Sequence, residues 1–189
     1  MKWKLPNKLT MIRVLLVPVY CVIYLASWIP NPWKDLLALV VFVAASLTDL
    51  YDGKIARSTN QVTDFGKFMD PLADKLLVGS AVICFTQTGL LPAWAAVILI
   101  GREFVISGFR LVAASKGVVI AADIWGKIKT TVQMIMIVSL LIPWDFFGIL
   151  AVLRWILIIA SVLLTIISVV NYIRNNLDVL KEKENETES

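Results

Sequence analysis

The chain has 189 residues, of which 59% are hydrophobic and 17% are charged, and its formal net charge is +4. A soluble domain does not have this composition, because it needs more charged side chains to cover its core. The absence of histidine excludes imidazole acid–base catalysis and histidine-ligated zinc. Cys21 and Cys84 lie singly in apolar runs, so we expect them to be packing residues.

Six apolar runs follow one another along the chain, each close to the roughly 20 residues that cross a hydrocarbon core of about 30 Å. The pattern predicts an all-α integral membrane protein with six transmembrane helices. We expect one domain, 1–189, which includes a basic leader at 1–8 and a charged tail at 177–189. The predicted spans are 9–29, 35–57, 66–88, 91–114, 126–143 and 148–173.

The basic residues predict how these spans are oriented. If the N-terminus is inside, sixteen of the 18 Lys and Arg residues fall on the cytoplasmic side, and the exceptions are Lys34 and Arg154. Because basic residues are enriched in cytoplasmic loops, this bias places both termini in the cytoplasm. Tryptophan is enriched at membrane interfaces, and its positions agree. They are Trp28, Trp33, Trp94 and Trp144 near outer ends, and Trp3 and Trp125 near inner ends.

Four aspartates lie at the inner ends of the second and third spans. Asp49 and Asp52 are near the end of one run, and Asp70 and Asp74 are near the start of the next. On helices of about 100° per residue, the first pair lies about 60° apart and the second about 40° apart, so each helix presents an acidic edge. A polar link can fold the second helix back and bring the edges together. Because converging carboxylates need positive charge between them, and Mg²⁺ and Mn²⁺ prefer oxygen ligands, we expect two divalent ions here.

The stretch from Asp49 to Asp74 has the pattern D-x-x-D-G-x-x-A-R, eight residues, then G-x-x-x-D-x-x-x-D. This pattern resembles the signature of the CDP-alcohol phosphatidyltransferases and matches it at every fixed position. Members of that family transfer a phosphatidyl or similar group from a CDP-linked donor to an alcohol and release CMP. The resemblance covers essentially the whole chain. It also implies a homodimer.

The resemblance implies a role for each matched residue. The four aspartates would hold two Mg²⁺ or Mn²⁺ ions, and Asp74 would also be the general base that takes the proton of the attacking hydroxyl. CDP-diacylglycerol would lie where the backbone is open to close approach or where a cation can pair with phosphate. These positions are Gly53, Ala56, Arg57 and Gly66, and, in the leader helix, Asn7, Thr10 and Arg13.

Basic residues at the inner ends of the fourth and fifth spans predict an acceptor site. Arg102 and Arg110 lie about 80° apart on a helix and can share a broad face. Lys127 and Lys129 follow at the adjacent cytoplasmic entrance, and the resulting pocket suits a phosphorylated acceptor. The runs REF-x-x-SG-x-R and GK-x-KT resemble those of bacterial phosphatidylglycerophosphate synthases, a branch of the family. The resemblance implies transfer of the phosphatidyl group of CDP-diacylglycerol to sn-glycerol 3-phosphate, at the cytoplasmic face of the inner membrane.

Other interpretations stay open on the sequence. Within the family, the acceptor could be inositol phosphate, serine or, in the cardiolipin branch, phosphatidylglycerol. From a different class, intramembrane carboxylates also mark small ion or metabolite carriers, although a carrier site would lie near the bilayer midplane with paired repeats or broken helices. The lysines and Arg110 also fit positive-inside topology, and Arg102 with Glu103 also fits a structural ion pair between helices.

Overall fold

In this computed structural model, the described part of the chain consists of α-helices and the links between them. The described residues are 5–58, 64–118, 120, 124–144 and 148–177, without the side chains of 5–9, 49–58, 64–68 and 70. The helices are α1 (Leu5–Leu25), α2 (Trp33–Ser58), α3 (Asp64–Gln87), α4 (Ala93–Ser115), α5 (Ile124–Leu141) and α6 (Ile149–Asn175).

Each predicted span coincides with one of these helices, and no boundary differs by more than four residues. The all-α prediction is therefore confirmed. By length and composition, α5 and α6 are apolar enough in their described residues to cross a membrane. The described apolar part of α1, Thr10–Leu25, is shorter. Helix α4 carries Arg102, Glu103 and Arg110 in its interior, and these charges lower its hydropathy.

Aromatic side chains fasten α1 to its two neighbours. Tyr20 stacks on Tyr24 at a centroid distance of 5.8 Å and contacts Phe42 of α2 at 6.0 Å. Tyr24 meets Phe85 of α3 edge-on at 5.4 Å, and its hydroxyl lies 3.1 Å from Thr88 Oγ1. All four rings are buried, and such aromatic pairs stabilise a core beyond the area that they bury. Helices α1, α2 and α3 therefore form one packed unit.

A smaller cluster joins α4 to α6. Phe109 meets Tyr172 edge-on, with ring centroids 5.7 Å apart, and Ile106 is buried beside them. Because Tyr172 lies near the C-terminal end of α6, this contact fixes the second half of α4 against that end. The charged residues of α4 thereby acquire neighbours on α6 as well as on α5.

Arg154 of α6 binds the C-terminal end of α5. Its Nε donates to the carbonyl oxygen of Ser139 at 3.1 Å, and its Nη2 donates to the carbonyl oxygen of Ile142. The last carbonyls of a helix have no partner within the helix, and a cation near them also meets the negative end of the helix dipole. Arg154, one of the two basic residues expected on the outer side, thus has a structural role there.

We predict that Arg154→Ala destabilises the protein, because two carbonyls at the end of α5 lose a charged donor. Hydrogen bonds to charged groups contribute about 1.5–3 kcal/mol, so the midpoint of thermal unfolding in detergent should fall by several degrees. Arg174→Ala is the matched control, because it removes an exposed arginine from the same helix. Equal midpoints for the two variants would contradict this role.

Candidate active site

A polar cavity of about 480 Å³ lies between helices α3, α4, α5 and α6. It collects charged and hydroxyl side chains that are far apart in the sequence. Four of the predicted site residues line it: Asp74, Arg102, Arg110 and Lys127. Its other lining residues are Pro71, Lys75, Glu103, Gly126, Thr130, Thr131 and Tyr172. The predicted acceptor pocket and the predicted general base therefore share one space.

Glu103 ties two of the basic residues together. Its Oε1 accepts a hydrogen bond from Lys129 Nζ at 2.6 Å and another from Arg102 Nη1 at 3.0 Å. The Lys129 side chain is only 2% exposed, whereas that of Glu103 is 28% exposed. A buried lysine needs such a partner, because an unpaired charge in an apolar interior is costly. The alternative interpretation of Arg102 and Glu103 as a structural ion pair therefore holds, and Lys129 of α5 makes it an interhelical cluster.

Lys127 and Lys129 do not lie together at one entrance. Two residues along a helix correspond to about 200° of rotation, so neighbours at this spacing face opposite sides. Lys127 is exposed and lines the polar cavity, while Lys129 is buried and lines a second cavity. Their contributions to a binding site must therefore differ.

Arg102 is held from a second side by α6. Its Nη2 donates to Ser168 Oγ at 3.0 Å, and its side chain is 12% exposed. Gly126 makes room for this arrangement, since a Cβ at that position would lie 3.1 Å from Arg102 Nη2. With one Nη on Glu103 and the other on Ser168, both terminal nitrogens of Arg102 are engaged, and its Nε is buried without a partner among the described residues.

Of the cations that line the cavity, Arg110 and Lys127 keep terminal nitrogen atoms for a ligand, whereas Lys75 donates to Ser107 Oγ and both Nη atoms of Arg102 are bonded. Arg110 Nε donates to the Tyr172 hydroxyl at 3.2 Å, and its guanidinium carbon lies 5.8 Å from the centre of the Tyr172 ring. Among the described residues, no acceptor binds the two Nη atoms of Arg110 or the Nζ of Lys127. Tyr172 thus positions Arg110, and both cations can bind an anion.

A second cavity, of about 500 Å³, adjoins the first and is mainly apolar. Aliphatic side chains of α3 and α4, with Val17 of α1, form most of its wall. Lys75 donates to Ser107 Oγ across its rim. Four residues line both cavities, and they mark the place where the two meet: Asp74, Lys75, Glu103 and Thr130.

Part of the predicted site lies outside the residues whose side chains are described. The backbone is helical at every matched position of the aspartate pattern, with Asp49–Arg57 in α2 and Gly66–Asp74 in α3, as the spacing argument requires. Thr10 is described and buried, and it lines neither cavity. The predicted residues without described side chains are Asn7, Asp49, Asp52, Gly53, Ala56, Arg57, Gly66 and Asp70.

Of the four predicted metal ligands, Asp74 is the one whose side chain the structure describes. Its side chain is exposed and lines both cavities. The carboxylate oxygens, which are hard donors, are therefore accessible to a divalent cation. Within the described side chains, no group of three or more metal-ligating residues occurs. The other three predicted ligands lie outside them. Asp74 thus fits one position of a metal site, and the complete ligand set stays a prediction.

Two residues of this site, Tyr172 and Ser168, did not stand out in the sequence, and the packing role of Gly126, which begins the GK-x-KT run, did not either. Tyr172 and Ser168 are four residues apart, which puts them on one face of α6. Polar residues at this spacing in an otherwise apolar span are a signal for interhelical hydrogen bonds. Gly126 carries no comparable signal, because only the packing of α5 against α4 and α6 shows what it makes room for.

Comparison with known proteins identifies the family. The model of the CDP-alcohol phosphatidyltransferases matches residues 3–167. The chain is 40% identical over 196 aligned positions to the CDP-diacylglycerol–glycerol-3-phosphate 3-phosphatidyltransferase of Bacillus subtilis, covering 95% of this chain and 98% of that one. It is 41% identical over 130 positions to the protein of that name in Rickettsia felis, covering 69% and 70%. For the Salmonella typhimurium protein the identity is 36% over 147 positions, covering 75% and 78%. The chain belongs to the CDP-alcohol phosphatidyltransferase family.

Proposed function

We propose that this protein transfers the phosphatidyl group of CDP-diacylglycerol to sn-glycerol 3-phosphate, which gives phosphatidylglycerophosphate and CMP. One observation carries the proposal: a single cavity presents the Asp74 carboxylate together with the cations of Arg110 and Lys127. A phosphorylated alcohol needs both, because cations bind its phosphate and a carboxylate can accept its hydroxyl proton. Relatives named for this reaction support the choice of acceptor.

The acceptor phosphate binds to Arg110 and Lys127. Arg110 is preorganised, because Tyr172 holds its Nε and leaves both Nη atoms to form a bidentate pair with phosphate oxygens. Arg102 and Lys129 add positive charge close to this site, and the negative charge of Glu103, to which both are bonded, partly offsets it. With Lys75 and Asp74, which also line the cavity, five positive and two negative charges surround it and give it a net attraction for a phosphate dianion.

The donor lies across the boundary between the two cavities. We assign one acyl chain of CDP-diacylglycerol to the apolar cavity, since burial of CH₂ groups there is favourable. The diphosphate then lies near Asp74, and the nucleotide extends toward the predicted donor residues. These are Asn7, Thr10, Gly53, Ala56, Arg57 and Gly66.

Two divalent cations, Mg²⁺ or Mn²⁺, complete the proposed site. Asp49, Asp52, Asp70 and Asp74 would hold them, and such ions neutralise the charge that develops on a diphosphate leaving group. The helical backbone of α2 and α3 across these positions supports a shared acidic edge, and the exposed Asp74 carboxylate supports access to it.

In the proposed reaction, Asp74 accepts the proton of the C1 hydroxyl of glycerol 3-phosphate. The resulting oxygen attacks the phosphorus that carries the diacylglycerol. The bond from this phosphorus to the bridging oxygen of the diphosphate breaks, and CMP leaves with the electron pair. Arg110 and Lys127 hold the acceptor while the new phosphodiester forms, which replaces a bimolecular encounter with an oriented one.

We place this chemistry at the cytoplasmic face of a bacterial inner membrane, with six spans and both termini inside. Four of the exposed tryptophans lie in or beside a link at the end opposite the polar cavity, which supports a membrane interface at that end. They are Trp28, Trp33, Trp94 and Trp144. A homodimer is also proposed, and it rests on the family resemblance.

Release of CMP by the purified protein in detergent tests the proposed function. CDP-diacylglycerol and Mg²⁺ are supplied with glycerol 3-phosphate, inositol 1-phosphate, serine or phosphatidylglycerol in separate reactions. We expect metal-dependent release with glycerol 3-phosphate alone. Release with a different acceptor would refute glycerol 3-phosphate as the acceptor. Absence of release with all four acceptors would refute the proposed phosphatidyltransferase activity.

Arg110→Ala should raise the KM for glycerol 3-phosphate by about 10- to 100-fold, because a charged, bidentate phosphate contact is lost. The KM for CDP-diacylglycerol should change by no more than about twofold, since the donor does not use this residue. Steady-state CMP release measures both constants. Lys116→Ala is the matched control, because it removes an exposed basic residue near the end of α4 that lines neither cavity. An unchanged acceptor KM in Arg110→Ala would move the phosphate site elsewhere.

Asp74→Asn should reduce turnover by about 10²- to 10⁴-fold, because an amide cannot take the hydroxyl proton. Binding of CDP-diacylglycerol, measured in mixed micelles with Mg²⁺, should persist. Asp35→Asn makes the same chemical change near the start of α2, outside the two cavities, and should keep full activity. Full turnover in Asp74→Asn would rule out Asp74 as the base.

A further inference from the structure

The proposed reaction gives a role to one carboxylate of the polar cavity, Asp74, and leaves a second one, Glu103, without a role. Glu103 is a wall residue of the polar cavity, with its side chain 28% exposed. Its structural role uses one oxygen, since both Lys129 and Arg102 donate to Oε1. In the described part of the chain, no group donates to Oε2. The cavity thus contains an acceptor atom whose purpose the ion pairs do not explain.

The position of Glu103 relative to the phosphate cations is set by α4. Glu103 and Arg110 are seven residues apart, so they lie about 20° apart around the helix and about 10 Å apart along it. Both side chains line the same cavity, and Glu103 also lines its boundary with the apolar cavity, beside Asp74. Glu103 therefore shares the wall of the polar cavity with Arg110 and, at the boundary with the apolar cavity, with Asp74.

Glycerol 3-phosphate has one polar group that the proposed reaction leaves unassigned. Its phosphate is on C3 and its reacting hydroxyl is on C1, so the C2 hydroxyl lies between them. When the phosphate binds Arg110 and Lys127 and the C1 hydroxyl reaches Asp74, the C2 hydroxyl faces the intervening wall. A hydroxyl can donate one hydrogen bond, and Glu103 Oε2 can accept one.

We propose that Glu103 is a specificity-determining residue that accepts a hydrogen bond from the C2 hydroxyl of the acceptor through Oε2. The proposal rests on the proposed function and names a further contact within it. Lys129 and Arg102 fix the carboxylate through Oε1, so Oε2 is held in place before the acceptor arrives. An acceptor that lacks this hydroxyl leaves a carboxylate oxygen unsatisfied, and one with an anionic group there meets repulsion.

The test compares two acceptors on the wild-type protein. Glycerol 3-phosphate and 3-hydroxypropyl phosphate have the same phosphate and the same primary hydroxyl, but the second lacks the C2 hydroxyl. A hydrogen bond to a charged group corresponds to about a 10- to 100-fold change, so we expect kcat/KM to favour glycerol 3-phosphate by that factor. Equal values for the two acceptors would overturn the proposal without any variant being needed.

Glu103→Gln should reduce this preference to about threefold or less. The amide oxygen will face the donors Lys129 and Arg102, which leaves the neutral NH₂ group where Oε2 was, so the C2 hydroxyl loses its bond to a charged acceptor and retains at most a weaker, neutral one. Ser168→Ala is the matched control, because it disturbs the same cluster through Arg102 and leaves both Glu103 oxygens in place. Its preference should stay at the wild-type value even if its activity falls.

The ratio of the two acceptors separates the proposal from a purely structural role of Glu103. Loss of the ion pairs alone would lower kcat/KM for both acceptors by the same factor and leave their ratio unchanged, which would overturn the proposal. If Glu103→Gln does not give folded protein, Glu103→Asp retains the charge but withdraws the oxygens, so the preference should fall there too. Failure of the proposed function is distinguishable, since the wild type would then release no CMP with glycerol 3-phosphate.

Discussion

The bonds of Glu103 to Arg102 and Lys129 are the constraint on which the site depends. Charged groups in an apolar interior must be paired, and this cluster pairs three of them across α4 and α5, with Ser168 of α6 completing the set. Two consequences follow. The three helices acquire a fixed register near the polar cavity, and three of the five basic residues at or beside it are already engaged, Arg102 and Lys129 with Glu103 and Lys75 with Ser107. Arg110 and Lys127 are left to bind a ligand.

The two adjoining cavities explain how one small protein can join a lipid to a water-soluble molecule. The apolar cavity is bounded mainly by aliphatic side chains, whereas the polar one is bounded by charges and hydroxyls. Asp74 belongs to both, so a group bound there can contact ligands from either side. A carrier would not need this division, because its substrate passes through one polar path. The arrangement therefore favours transfer between two substrates, in agreement with the family to which the chain belongs.

Much of the helical framework could be predicted, because long apolar runs with charged ends leave few alternatives, and all six helices lie where the runs predict them. Asp74, Arg110 and Lys127 could be grouped from their positions at neighbouring helix ends. The separation of Lys127 from Lys129 could also be predicted from the sequence, since their spacing alone puts them on opposite faces of the helix. The roles of Tyr172 and Gly126 could not be predicted from the sequence, because they depend on which helices pack together. That packing is a long-range property.

A structure of the protein with glycerol 3-phosphate bound would test the central claim most directly. The claim is that Arg110 and Lys127, rather than Arg102 and Lys129, are the cations that bind the acceptor. Density for the phosphate within hydrogen-bonding distance of Arg110 Nη and Lys127 Nζ, with the C1 hydroxyl directed toward Asp74, is the predicted result. A phosphate bound to Lys129 or Arg102, with Glu103 displaced from both, would contradict it.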